Sequence, residues 1–356
     1  MKIAVLEHFT AQPEDGQPSG PVAEGRAMRD AIVSDLRRLP GVAVEVVERR
    51  RAFRGALRRT DAALVIAPET GGILERLARA VEEEGRLLLG PSPGAVRLAA
   101  DKLATARCLE AAGVRTPRTE ALRFAAARRL LRARAAPFVV KPRDGCGCRG
   151  VVVVRGRREI DAAIRTVRRA TRRDDFLVQE FVRGQDASVS VIAAAGLLAL
   201  GLNRQRLSGR RAPAYAGGET FHPHPLAPAA SAAASAAVAA VAAACPGMRG
   251  YAGVDLVLGD RDATVIEINP RLTTSYIGLR LSVEANLAGL IVAAALGRAL
   301  PDCVTATGRC RFRSDGRIIR RAALHHAGEA DGPQRRKMEG APGWPIISAG
   351  TSAASI

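Results

Sequence analysis

Residues Phe138 to Val154 read FVVKPRDGCGCRGVVVV. Within them Gly145, Gly147 and Gly150 spell G-x-G-x-x-G, a spacing that can cradle phosphates. The flanks decide what kind of loop this is. A dinucleotide-binding turn runs from a strand into a helix. Here the apolar, β-branched FVVK leads into the glycines and VVVV follows them at once, so the reading is strand, loop, strand. A kinase glycine loop also joins two strands, but its lysine comes on a later strand. In this chain Lys141 precedes the glycines.

Outward from the loop the pattern divides into blocks. Before it, residues 1–89 alternate strand and helix signals: IAVLE (3–7), an amphipathic helix over 22–39, VAVEVV (42–47), DAALVIAPE (61–69), a helix over 72–84 and RLLLG (86–90). That predicts a small doubly wound α/β domain, and no glycine fingerprint follows its first strand. GPSPG (90–94) punctuates a boundary. A helix over 100–114, another over 124–136, the two strands around the loop, a helix over 158–172 and a strand FLVQEFV (176–182) make a second block, 90–182.

A third block, 183–310, opens with a hairpin about Gly196. Residues 208–220 read as a mobile loop. The alanine-rich 228–244 reads as a helix, since alanine is the best helix former, stopped by Pro246-Gly247. A second hairpin spans 251–271, and a buried helix spans 283–297. Beyond 310 the signals fade. Residues 311–356 read as a C-terminal segment that is partly loop, over 326–342, with a late strand, WPIIS (344–348), and Trp344 as an anchor for the tail.

Composition narrows the function. The net charge of +19 suggests a polyanion partner, but 50 of the 54 basic residues are arginine, scattered along the chain. Arginine and alanine in excess are what GC-rich coding produces, so no specific nucleic-acid role is expected. No apolar run approaches a membrane span, and MKIAVLEHFT lacks the order of a signal peptide, so a cytoplasmic protein with no membrane partner is expected. The six cysteines then read as free thiols, with Cys146 and Cys148 as small residues of a tight loop. His222 and His224 sit in a proline-rich turn, and His325-His326 in a solvated loop; neither pair reads as a metal site. Lysine occurs only at 2, 102, 141 and 337. Where it is so rare, an interior lysine suggests a task for a compact ammonium, such as meeting one phosphate.

The second hairpin carries the chemistry. Its turn is Gly259 to Asp262, so residues whose numbers sum to about 522 face each other. Asp255 and Glu267 do, and Asn269 points to the same side. Two carboxylates side by side are unfavourable unless a cation lies between them. Oxygen ligands without cysteine or histidine favour Mg²⁺, with Mn²⁺ as a substitute. Upstream stand Asp101-Lys102 at a helix start, Lys141 before the loop, Gln179-Glu180-Phe181-Val182, and Asp186. Lysines, loop amides and a Mg²⁺ site suit a nucleoside triphosphate.

This ordered series resembles the ATP-grasp superfamily of carboxylate–amine ligases over residues 90–310. The resemblance implies a mixed α/β and α+β fold: two α+β subdomains clasping ATP, preceded by a small Rossmann-like α/β domain. It implies that Lys102 and Lys141 hold ATP phosphates and that the loop through Gly145, Gly147 and Gly150 closes over them. Gln179, Glu180, Phe181 and Val182 would contact adenine, and Asp186 the ribose. Asp255, Glu267 and Asn269 would hold one or two Mg²⁺. Many members carry an arginine shortly before the first metal acid. This chain has Ala252-Gly253 there, which makes Arg271 the candidate for the transferred phosphoryl.

The expected reaction is amide formation through an acylphosphate, which needs no enzyme nucleophile. The same scaffold could serve a kinase-like or carboxylase-type enzyme with no amide product. A third possibility is a basic nucleic-acid-binding protein without catalysis. Arg204, Thr273, Thr274 and Ser275 are candidate substrate contacts. KPRDGCGCRG, LNRQRL and EINPRLTTSY are similar to the branch that includes the tyramine–glutamate ligase of methanofuran biosynthesis. That implies a glutamate γ-carboxylate and an aromatic amine as substrates, in the making of a one-carbon cofactor. A homodimer is expected from the resemblance alone.

Overall fold

The computed structural model describes residues 1–12, 20–209 and 212–323. The late strand, Trp344 and His325-His326 lie outside these. The chain begins with β1 (Lys2–Glu7), α1 (Gly20–Leu36), β2 (Ala43–Val46), α2 (Phe53–Leu57), β3 (Ala62–Ile66), α3 (Ile73–Glu83) and β4 (Leu87–Leu88). These strands form a parallel sheet in the order β2-β1-β3-β4. β1 and β3 are buried along almost their whole length, as continuous apolar runs in a two-sided parallel sheet should be.

Then follow α4 (Pro93–Ala100), α5 (Lys102–Ala111), β5 (Thr119–Arg123), α6 (Phe124–Arg132), β6 (Phe138–Lys141), β7 (Val152–Val154), α7 (Ile160–Ala170) and β8 (Asp175–Glu180). The antiparallel sheet β5-β8-β6-β7 carries α6 and α7 on one face, over a core of Leu131, Phe138, Val140, Ile160, Val167 and Phe176. β6 and β7 flank the glycine loop, so the strand–loop–strand reading holds. α4 and α5 pack instead on the next unit, where Ala95, Ala99 and Leu109 join its core.

That unit comprises β9 (Gln185–Ala193), β10 (Leu197–Ser208), β11 (Ala214–Glu219), α8 (Ala227–Ala244), β12 (Gly250–Leu258), β13 (Ala263–Asn269), α9 (Ser275–Leu279), α10 (Leu287–Ala295), β14 (Gly308–Arg313) and β15 (Ile318–Ala323). Its seven strands run β13-β12-β9-β10-β11-β14-β15, all antiparallel. Two expectations are corrected. Residues 214–219, read as loop, are strand β11, and the sheet continues past residue 310 through β14 and β15.

α8 is long and apolar enough to cross a membrane by length and composition. It packs on the sheet instead, burying Ala230, Ala234, Ala237, Val238 and Val241 at helical spacing. On the other face α9 is tied to α1. Tyr276 donates its hydroxyl to Asp35 Oδ2 at 2.7 Å, and Arg280 Nε reaches the same oxygen at 2.8 Å. This tether sets the N-terminal sheet against the face of the large sheet that carries the acids.

Candidate active site

The β12–β13 hairpin pairs Asp255 directly with Glu267 and Gly253 with Asn269; a bulge after Asp255 shifts the register nearer the turn. Directly paired residues point to one face. Asn269 Nδ2 donates to Asp255 Oδ2 at 3.2 Å, and Gln205 Nε2 on β10 donates to Asp255 Oδ1 at 2.7 Å. Burial and the neighbouring Glu267 charge push the Asp255 carboxyl up to about 7. Glu267 goes the other way: burial works against its charge, but Lys102 and Lys141 outweigh it and hold its pKa below the ordinary value.

Both lysines converge on this pair. Asp101 caps α5 by accepting from the Leu103 and Ala104 amides, which places Lys102 at the first turn. Lys102 Nζ lies 3.2 Å from Glu267 Oε2 and donates to the Gly145 carbonyl at 2.7 Å. Lys141, at the end of β6, is 3% exposed and donates to Gln179 Oε1 at 2.9 Å. Burial lowers its pKa from 10.5 to about 8, only partly offset by Glu267. A buried ammonium held by one neutral amide is poised for an anion.

The glycine loop hangs over the acids. The Cys148 thiol is pushed up to about 12 by burial, then by Glu267, Asp255 and Asp186. Arg143 anchors the loop's start, bonding Asp101 at 2.6 and 2.8 Å and Asp175 at 3.1 Å. At its end Gly150 has φ +80°, and a Cβ there would sit 2.4 Å from Ala170 Cβ. Only glycine fits that turn. The loop also touches the N-terminal unit, through Asp144 to the Gly71 amide at 3.4 Å.

The other candidates divide. Asp186 is on β9, two residues from Ser188, which pairs with Asp255, so it shares the acid face. Glu180, Phe181 and Val182 end and follow β8, with Arg155 stacked 5.3 Å over the Phe181 ring. The Gln179 side chain is committed to Lys141 and, through Nε2 at 2.8 Å, to Thr119 Oγ1. Arg271 Nε bonds Glu69 Oε1 at 2.8 Å. Thr273 lies 3.2 Å from the Tyr251 hydroxyl, Thr274 donates to Glu24 Oε1, and Ser275 lies 3.5 Å from Ser188. Arg204 is not brought to the site. It is exposed and pairs with Ala187, whose face packs on α8. The next residue, Gln205, takes the place beside Asp255.

Two half-buried carboxylates and a buried amide on adjacent strands, with only partial compensation from lysine, fit a hard divalent cation. Among the described residues no group of three histidine, cysteine or acidic side chains gathers, so the third ligand would be the Asn269 oxygen. Sequence reasoning missed Gln205, Tyr215, Glu24 and Glu69. The last two come from the N-terminal unit, and no local motif marks them.

Comparison with known proteins agrees with this geometry. Residues 99–275 match the family described as ATP-grasp domain, and residues 27–96 the pre-ATP-grasp domain. The tyramine–L-glutamate ligase of Methanocaldococcus fervens is 32% identical over 232 residues, which cover 65% of this chain and 65% of that protein. The match therefore spans less than two-thirds of that relative's length. An ATP-grasp superfamily protein from Archaeoglobus fulgidus superimposes with a TM-score of 0.63 at 25% identity, covering 87% of this chain and 92% of that one. A D-alanine–D-alanine ligase from Bacillus anthracis, solved with ATP, gives 0.60 at 17% identity, covering 83% and 97%. The chain has the ATP-grasp fold with its preceding domain, and over the matched part it resembles the tyramine–L-glutamate ligases.

Proposed function

We propose that this chain is an ATP-dependent carboxylate–amine ligase that forms an amide through an acylphosphate. The observation that carries the reading is the convergence of Lys102 and Lys141 on the Asp255–Glu267 pair, beneath the glycine loop. Lys141 and Lys102 meet the ATP phosphates, and the loop amides close over them. Adenine lies along the end of β8, near Glu180 to Val182, and Asp186 takes the ribose. Asp255, Glu267 and Asn269 hold Mg²⁺, which supplies charge neutralisation for the phosphates and the transferred phosphoryl group. Arg271, held by Glu69, steadies the developing phosphoryl charge.

The chemistry follows from leaving groups. A carboxylate is a poor acyl donor because it would have to expel oxide. Its oxygen attacks the γ-phosphorus, ADP leaves, and the acylphosphate then offers phosphate as a good leaving group. Attack by an amine forms the amide. Closure of the loop keeps water from the acylphosphate. The relative's name supports a glutamate γ-carboxylate and tyramine or a related aromatic amine as the pair. The test is ADP release with ATP and Mg²⁺ across a panel of acids and amines that includes L-glutamate and tyramine. A requirement for one acid and one amine together supports the reading. Release with an acid but indifferent to every amine favours a kinase-like enzyme.

A further inference from the structure

Glu24 lies on α1, far in sequence from the residues proposed to hold ATP, yet a short chain of contacts links it to them. Thr274, which donates to Glu24 Oε1, is next to Ser275, and Ser275 meets Ser188 and the Tyr215 hydroxyl. Ser188 pairs with Asp255. The Tyr215 phenol feels both Glu24 and Asp255, and burial with these charges raises its pKa well above the ordinary value. Glu24 therefore stands across one tyrosine from the phosphate side of the cleft. Glu7 ends β1 and Glu69 follows β3, so both stand at the carboxyl ends of their strands, where α/β sheets take their ligands.

Glu69 and Glu24 of the N-terminal unit both act on Arg271, Glu7 acts on Glu24, and their partners separate their tasks. Glu7 accepts from the Phe9 and Thr10 amides at 3.1 and 2.7 Å and is spent on its own turn. Glu69 holds Arg271 through Oε1; its Oε2 is buried with no hydrogen-bond partner, in a residue 4% exposed. Glu24 accepts only from Thr274 among the described residues, which leaves Oε2 to offer. An orphaned carboxylate oxygen and a half-used carboxylate, both drawn to Arg271, call for a donor that the described residues do not supply. A cationic N–H group fits both.

We propose that Glu24 receives the amine substrate, pairing with its ammonium group and taking the proton that must leave before the nitrogen can attack. The proposal rests on the ligase reading. A primary alkyl ammonium has a pKa of about 10, so only about one molecule in a thousand carries a free lone pair at pH 7. In the step, an ammonium N–H bond breaks and the proton passes to the Glu24 carboxylate. The nitrogen bonds to the acyl carbon, the acyl–oxygen bond to phosphate breaks with the electron pair leaving on phosphate, and that departing phosphate takes the second nitrogen proton, leaving the neutral amide. Burial raises the Glu24 pKa, with Thr274 and Arg271 opposing and Glu7 adding to the rise. Among the described residues Arg271, Glu7 and Tyr215 are the charged and titratable groups that act on it.

The test is Glu24→Gln, which can keep the Thr274 contact, assayed with ATP, Mg²⁺ and L-glutamate against two nucleophiles. Tyramine arrives as an ammonium; hydroxylamine is neutral at pH 7 and needs no base. The variant should lose at least about 100-fold in kcat/KM for tyramine while hydroxamate formation stays within a few-fold. The tyramine deficit should shrink about tenfold for each pH unit gained toward the amine's own pKa. Equal loss with both nucleophiles, or no loss with either, would overturn the assignment. Absence of hydroxamate with the unaltered protein would overturn the ligase reading, and this assignment with it.

Discussion

Replacing Lys141 with methionine should free the resting protein of a strain while destroying its nucleotide site. In the fold Lys141 titrates at about 8 against an ordinary 10.5, because burial disfavours its charge. That difference costs the folded protein about 3 kcal/mol at pH 7. The sign is fixed by proton counting: the unfolded chain holds the proton more tightly, so the cost is full below pH 8 and fades as pH rises toward 10.5. Methionine removes the charge at similar length but strips Gln179 Oε1 of its donor, a loss of about 1–3 kcal/mol. At pH 7 the variant should lie between parity and about 2 kcal/mol more stable than its parent. At pH 9.5 the lysine cost has fallen by about 2 kcal/mol, and the advantage should vanish or reverse. Urea unfolding of both proteins at the two pH values, without nucleotide, measures this. ATP with Mg²⁺ should protect the parent and not the variant. A stability difference that is the same at both pH values would refute the reasoning.

Other substitutions separate site from scaffold. Glu267→Ala should abolish Mg²⁺-dependent ADP release, by at least about 100-fold, and leave the circular dichroism spectrum unchanged. Gly150→Val places a branched side chain at φ +80° against Ala170 and should raise the KM for ATP at least about tenfold by spoiling loop closure, read in steady-state kinetics. Asp35→Ala strands the buried Tyr276 hydroxyl and the Arg280 guanidinium and should cost about 3 kcal/mol, read as a lower urea midpoint.

The parts of the site made by short-range pairing were legible in the sequence. A hairpin with a four-residue turn sets its own register, so Asp255 and Glu267 could be placed opposite each other by counting, and Asn269 followed. Lys102 was visible because Asp101 marks a helix start, and Lys141 because a β-branched run leads into glycines. β11 was hidden because its glycines read as loop. They are there because β14 passes close: a Cβ on Gly217 would lie 2.2 Å from the Phe312 carbonyl oxygen. β14 does alternate, with Cys310 and Phe312 buried between arginines, but in an arginine-rich chain that alternation does not stand out. Arg204 was misjudged by one residue of strand parity, which the register with Ala187 decides. Glu24 and Glu69 could not be found from local pattern. Glu24 is one acid on an amphipathic helix, and its partner Thr274 lies 250 residues away.

The central claim is that the acid is activated by phosphorylation on its own oxygen. The measurement that tests it most directly follows ¹⁸O from the carboxylate of the acid substrate during turnover with ATP, Mg²⁺ and amine. The account predicts one ¹⁸O atom in each phosphate released, with the amide keeping the other. Phosphate released without label, while amide forms, would contradict an acylphosphate and the account built on it.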